Sequence, residues 1–159
     1  HLKGNEIEML KERQSSIAHC PTSNTFIGSG IFKLKEISSK KINIGLATDT
    51  GGGTSFSMLK TIAEAYKISQ LNNFSIHPAQ LFWLATVGSS ISLGLESKIG
   101  NVEKGYYADL IVINLASTLE IEQRQKRAKN FWESFFPTLI MGDDRAIMKT
   151  WVNGNEINN

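Results

Sequence analysis

The segment Asn43–Met58, Asn-Ile-Gly-Leu-Ala-Thr-Asp-Thr-Gly-Gly-Gly-Thr-Ser-Phe-Ser-Met, constrains the fold more than any other part of the chain. Ile42, Ile44 and Leu46, with small residues between them, suit a strand covered on both faces, as in a parallel sheet wrapped by helices. That strand runs into a lone carboxylate, Asp49. Gly51, Gly52 and Gly53 then allow a tight turn or a close approach to a ligand, and Thr54 or Ser55 is positioned to cap the next helix. An aspartate there is a common turn former, but it also stands where α/β barrels place their chemistry, at the C-terminal end of a strand. No Gly-Lys-Ser/Thr follows the glycines and no Gly-x-Gly-x-x-Gly spacing occurs, so a nucleotide-triphosphate loop is excluded.

A second strand end stands one β-α unit upstream. Ser15 to Ala18 is a short small-and-apolar run that closes on His19-Cys20-Pro21-Thr22-Ser23-Asn24, a polar loop in which Pro21 stops the strand. A histidine and an aspartate at successive strand tips fit a metal or acid–base site. Cys20 is the single cysteine, which excludes an internal disulfide and a cysteine-rich zinc motif. Adjacent residues on a strand face opposite ways, so His19 and Cys20 are poorly placed as a base–nucleophile pair. Cys20 is read as a small packing residue.

Helical spacing marks Asn5–Gln14, Phe26–Ser38 and Ser55–Leu71, with further helices at Pro78–Thr86 and Ser89–Leu95. Their alternation with the strands argues for a parallel α/β sheet. The texture changes after Gly100: Gly105–Asn114 reads as a strand, and Ile147–Val152 followed by Asn153-Gly154-Asn155 as a strand and hairpin turn. Between them, Glu120 to Lys129 carries Arg124, Lys126, Arg127 and Lys129, but acidic residues interrupt it and no aromatic platform is interleaved. A solvated segment, not a nucleic-acid surface, is expected there. The apolar stretch Phe131–Met141 is expected to pack on the barrel or on a second subunit. His77, before Pro78 at a helix entry, is expected to be a loop residue.

These motifs together resemble the guanine deaminases, zinc enzymes of the amidohydrolase superfamily. The resemblance runs through His19–Asn24, Gly28-Ser29-Gly30, Gly45–Met58, Leu84-Ala85-Thr86, Ile99-Gly100-Asn101, Ala108-Asp109-Leu110 and Met141-Gly142-Asp143-Asp144-Arg145. His-Cys-Pro-x-Ser-Asn and Gly-x-x-Thr-Asp are shared by several deaminases and chlorohydrolases of the superfamily; Gly-Gly-Gly-Thr-Ser-Phe-Ser-Met and Gly-Asp-Asp-Arg are narrower. The resemblance implies an α/β fold: the C-terminal part of a (β/α)8 barrel, strands six to eight, over residues 1–97, with strands of a small β-sandwich over 98–159. A complete barrel needs about 250 residues, so the 159 present are expected to be part of a longer protein.

By that resemblance Asp49 is catalytic and a ligand of Zn2+, and His19, taken as the family's strand-six histidine, steadies the attacking water or reaches the metal. His1 falls in the purine pocket, and the remaining ligands lie upstream. The implied reaction is hydrolysis of guanine to xanthine and ammonia, in a homodimer. A related deaminase or chlorohydrolase, or a non-catalytic partial barrel with exposed sheet edges, are the alternatives. A net charge of +2 with 41% hydrophobic and 20% charged residues fits a globular protein without membrane or nucleic-acid partners, and a cytoplasmic location is expected.

Overall fold

The computed structural model describes residues 2–157. The helix Gly4–Glu12 (α1) leads into strand Ile17–His19 (β1), and Ile44–Leu46 (β2) lies parallel to it. Ile17 stands opposite Ile44, Ala18 opposite Gly45 and His19 opposite Leu46. Three parallel strands were expected; two are present among the described residues.

The helix expected over Phe26–Ser38 is two short ones, Pro21–Phe26 (α2) and Leu34–Ser39 (α3). The break has a backbone cause. Gly28 and Gly30 sit at φ +68° and +114°, outside right-handed helical space, and reverse the chain between the two helices. Pro21 occupies the first turn of α2, where its missing N–H costs nothing.

Helix α4 (Met58–Leu71) starts later than expected, with Ser57 rather than Thr54 or Ser55 as its cap: Ser57 Oγ accepts from the Lys60 N–H. Helices α5 (Pro78–Ala85) and α6 (Val87–Ser92) follow. His77 is more than a loop residue, because its Nδ1 caps α5 by accepting from the Ala79 N–H at 3.1 Å. Helix α6 lies against β2. Gly45 permits this, since a Cβ there would stand 2.7 Å from the Cα of Ser89. Ser89 Oγ donates to the Leu46 carbonyl at 3.1 Å, so part of the strand edge expected to lie open is covered.

The second half builds a three-stranded antiparallel sheet from β3 (Leu110–Ile113), β4 (Ile147–Val152) and β5 (Asn155–Ile157). Strand β3 begins at Leu110, not Gly105, which turns at φ +99°. The expected hairpin is present: Asn153 and Gly154 both have positive φ, 50° and 80°, as a two-residue loop of primed type requires. Helices α7 (Leu119–Gln125) and α8 (Phe131–Met141) connect β3 to β4. Arg124, Lys126, Arg127 and Lys129 are all exposed, and Lys126 pairs with Glu122 one helical turn back.

Helix α8 packs on α4 and α5. Phe135 and Leu139 share one buried cluster with Ile44, Leu46, Leu59 and Ile62, and Phe135 meets Phe82 edge to face at 5.2 Å. The core thus continues across residue 97. Among the described residues no helix is long and apolar enough to cross a membrane.

Candidate functional site

The turn after β2 is closed onto one residue. Asp49 adopts φ +49°, and its carbonyl accepts from the N–H groups of both Gly52 and Gly53. A Cβ at Gly53 would run into the Thr48 carbonyl, so the turn cannot close this tightly with a side chain there. A left-handed aspartate is uncommon, and the closed turn holds it in place. The side chain is exposed. Under it lies Gly52, whose absent Cβ would stand 3.1 Å from Asp49 Oδ2 and 2.9 Å from Ser23 Oγ. A carboxylate oxygen and a hydroxyl from successive strand ends therefore converge on one glycine.

The strands bring His19 and Asp49 close along the backbone, because Ala47 N–H donates to the His19 carbonyl at 3.0 Å. Their side chains do not meet. His19 shares a strand face with Ile17 and lies opposite Leu46, toward the helix-packed core. It is 2% exposed, and its ring sits against Phe32 with centroids 4.5 Å apart. Burial lowers its pKa to about 4, so the ring is neutral at neutral pH. Neither ring nitrogen has a hydrogen-bond partner among the described residues. Cys20 stands at the start of α2, where burial, and then the negative charge of Asp49, push its thiol pKa up. His1 lies outside the described residues.

Among the described residues no group of three or more His, Cys, Asp or Glu side chains could hold a metal ion. Among the described residues, Asp49 offers an exposed carboxylate at a strand end, which fits the part of one zinc ligand. A cleft of about 1000 Å³ lies away from this turn, between Tyr66, His77, Arg124, Arg127, Trp132 and Phe136.

The amidohydrolase family model matches residues 1–157. The chain belongs to the amidohydrolase family. It is 42% identical to the guanine deaminase of Escherichia coli K12 over 154 residues, which is 97% of this chain and 35% of that relative. A solved structure of the E. coli guanine deaminase superposes with a TM-score of 0.96 at 41% identity, covering 99% of this chain and 37% of that one. A guanine deaminase from C. acetobutylicum, solved with guanine bound in its active site, gives a TM-score of 0.84 at 32% identity, with coverage of 99% and 37%. The fold also extends to a zinc-bound adenosine deaminase from Xanthomonas campestris, TM-score 0.81 at 24% identity, with coverage of 98% and 35%. The chain spans little more than a third of the length of these proteins, and its α/β architecture is the corresponding part of their barrel.

Two features lay beyond sequence reasoning. Ser23 was visible only as a letter in a shared motif; its burial to 1% exposure beside Gly52 depends on how α2 seats. In Gly142–Arg145, Asp143 accepts the Arg145 backbone N–H and pairs with its guanidinium at 2.6 Å, so Arg145 holds the Asp143 carboxyl below its usual range. That motif acts within the described residues as a turn leading into β4.

Proposed function

We propose that the protein carrying this chain hydrolyses guanine to xanthine and ammonia. The observation that carries the reading is Asp49, presented at the end of β2 by a glycine-closed turn, within a chain similar to guanine deaminases along nearly its whole length. Zinc, when bound, lowers the pKa of water toward neutrality and so makes a nucleophile available at neutral pH. Asp49 is the residue of this chain that would hold the ion.

The chemistry assigned to Asp49 is proton transfer. Water attacks the amino-bearing carbon of the ring; Asp49 accepts the proton from that water and delivers it to the purine and its leaving amine, which departs as ammonia. The exposure of Asp49 suits this role, because the carboxylate must reach both water and substrate. His19 is assigned to steady the attacking water or reach the metal; its burial against Phe32 leaves both ring nitrogens without a partner among the described residues. His1 is assigned to the purine pocket, residues 1–97 to the barrel and 98–159 to the small β domain. A homodimer is the proposed assembly.

The full-length protein, assayed for ammonia release from guanine, adenosine and a chlorinated triazine, tests the reading. Turnover of guanine well above the other two is expected. Preference for adenosine or the triazine would move the protein to a related deaminase or chlorohydrolase, and turnover of none would refute the enzymatic reading.

A further inference from the structure

We infer that Ser23 is a positioning residue for the Asp49 carboxylate, with Gly52 as the gap through which the two oxygens approach; this rests on the reading of Asp49 as the working carboxylate. Ser23 stands in the first turn of α2, immediately after β1. Its backbone carbonyl accepts from Ile27 N–H at 2.9 Å and is spent on the helix. The hydroxyl is not. The residue is 1% exposed, and none of the side-chain hydrogen bonds among the described residues uses Ser23 Oγ.

The turn brings a carboxylate oxygen toward it. The Asp49 carbonyl, accepting from Gly52 and Gly53, folds the glycines back beneath its own side chain. Ser23 Oγ and Asp49 Oδ2 then fall 2.9 and 3.1 Å from the same point, the position of a Cβ at residue 52. No hydrogen bond joins Ser23 Oγ to Asp49 Oδ2 among the described residues; a change of side-chain rotamer into the space left by Gly52 would bring the Ser23 hydroxyl to Oδ2. A hydrogen bond to an ionised carboxylate is stronger than one between neutral groups, and it fixes the orientation of the acceptor. Any residue other than glycine at 52 would wedge the two oxygens apart.

The test compares Ser23→Ala and Gly52→Ala with wild type in the zinc-loaded full-length protein. Four quantities are measured: kcat and KM for guanine, zinc retained after dialysis against a chelator, and melting temperature. Loss of an oriented, charge-assisted hydrogen bond is expected to lower kcat about tenfold in either variant, with KM within about twofold, and to hasten zinc loss. In the double variant the losses should be less than multiplicative, because the serine oxygen that Gly52→Ala displaces is already gone. Ser23→Ala with kcat and zinc retention both within twofold of wild type overturns the inference. So does a fall in kcat accompanied by matching losses in KM and melting temperature, which would make Ser23 a packing residue. Should Ser23→Ala fail to fold, Gly52→Ala, whose added Cβ targets the same contact, decides on the same criteria. If the wild type does not deaminate guanine, the guanine reading fails by itself, and the zinc-retention comparison still decides the role of Ser23.

Discussion

Replacing His19 by leucine should remove one component of the acid sensitivity of the fold. Burial lowers the His19 pKa from 6.5 to about 4, and each unit of difference between folded and unfolded states is worth about 1.4 kcal/mol. The sign follows from which state binds the proton. Below pH 6.5 the imidazole of the unfolded chain is protonated while the buried ring stays neutral, so falling pH favours unfolding. The stabilising difference is fully present above about pH 6.5, declines as pH falls, and is exhausted near pH 4. Across that window the loss is about 3 kcal/mol, a large share of the 5–15 kcal/mol that holds a typical domain. His19→Leu has nothing to protonate. At pH 7 it should also cost little, since neither ring nitrogen has a partner among the described residues and leucine suits the contact with Phe32. Urea unfolding followed by tryptophan fluorescence, at half-unit steps from pH 7.5 to 4, measures both. The wild-type free energy should fall with a slope approaching 1.4 kcal/mol per pH unit relative to the variant. Parallel curves would refute a buried neutral His19, as would a loss above about 3 kcal/mol at pH 7.

Asp49→Asn in the full-length protein should abolish turnover while leaving the melting temperature close to wild type, because the asparagine side chain tolerates the left-handed backbone at this position; steady-state assay and calorimetry check the two halves. Gly45→Ala should destabilise by about 1–3 kcal/mol, since the new methyl meets the Ser89 backbone at 2.7 Å and helix α6 must shift; chemical denaturation reads this directly. Asn130→Ala removes the cap of α8, where Asn130 Oδ1 accepts from Glu133 N–H at 3.0 Å, and should cost about 1 kcal/mol in the same assay.

Local pattern made much of this molecule legible. The apolar spacing of Ile62, Ala65 and Ile68 gave α4, and Asn153-Gly154 gave the hairpin, because both depend on near neighbours in the chain. Asp49 was legible for the same reason: strand, carboxylate and glycines are contiguous. The failures came where distant contacts decide. Apolar residues from Phe26 to Ile37 keep a helical rhythm, yet Gly28 and Gly30 turn the chain between two short helices and leave Phe26 and Ile27 exposed. The packing of the His19 ring against Phe32 was not legible either, because that contact joins separate parts of the chain. Ser23 became recognisable once α2 and the glycine turn were seen side by side.

Strands β3 and β4 are neighbours in the sheet but are separated in sequence by α7 and α8, and α8 is embedded among α4 and α5. Closing that long excursion is entropically unfavourable until the helix has docked and brought the two strand ends together. The sheet therefore belongs to a late stage of folding, waiting on Phe135 and Leu139 to find their places. In the native protein the dependence runs in reverse: amide protons of the β5 hairpin can exchange by local fraying, whereas release of β3 from β4 is coupled to departure of α8 from the core.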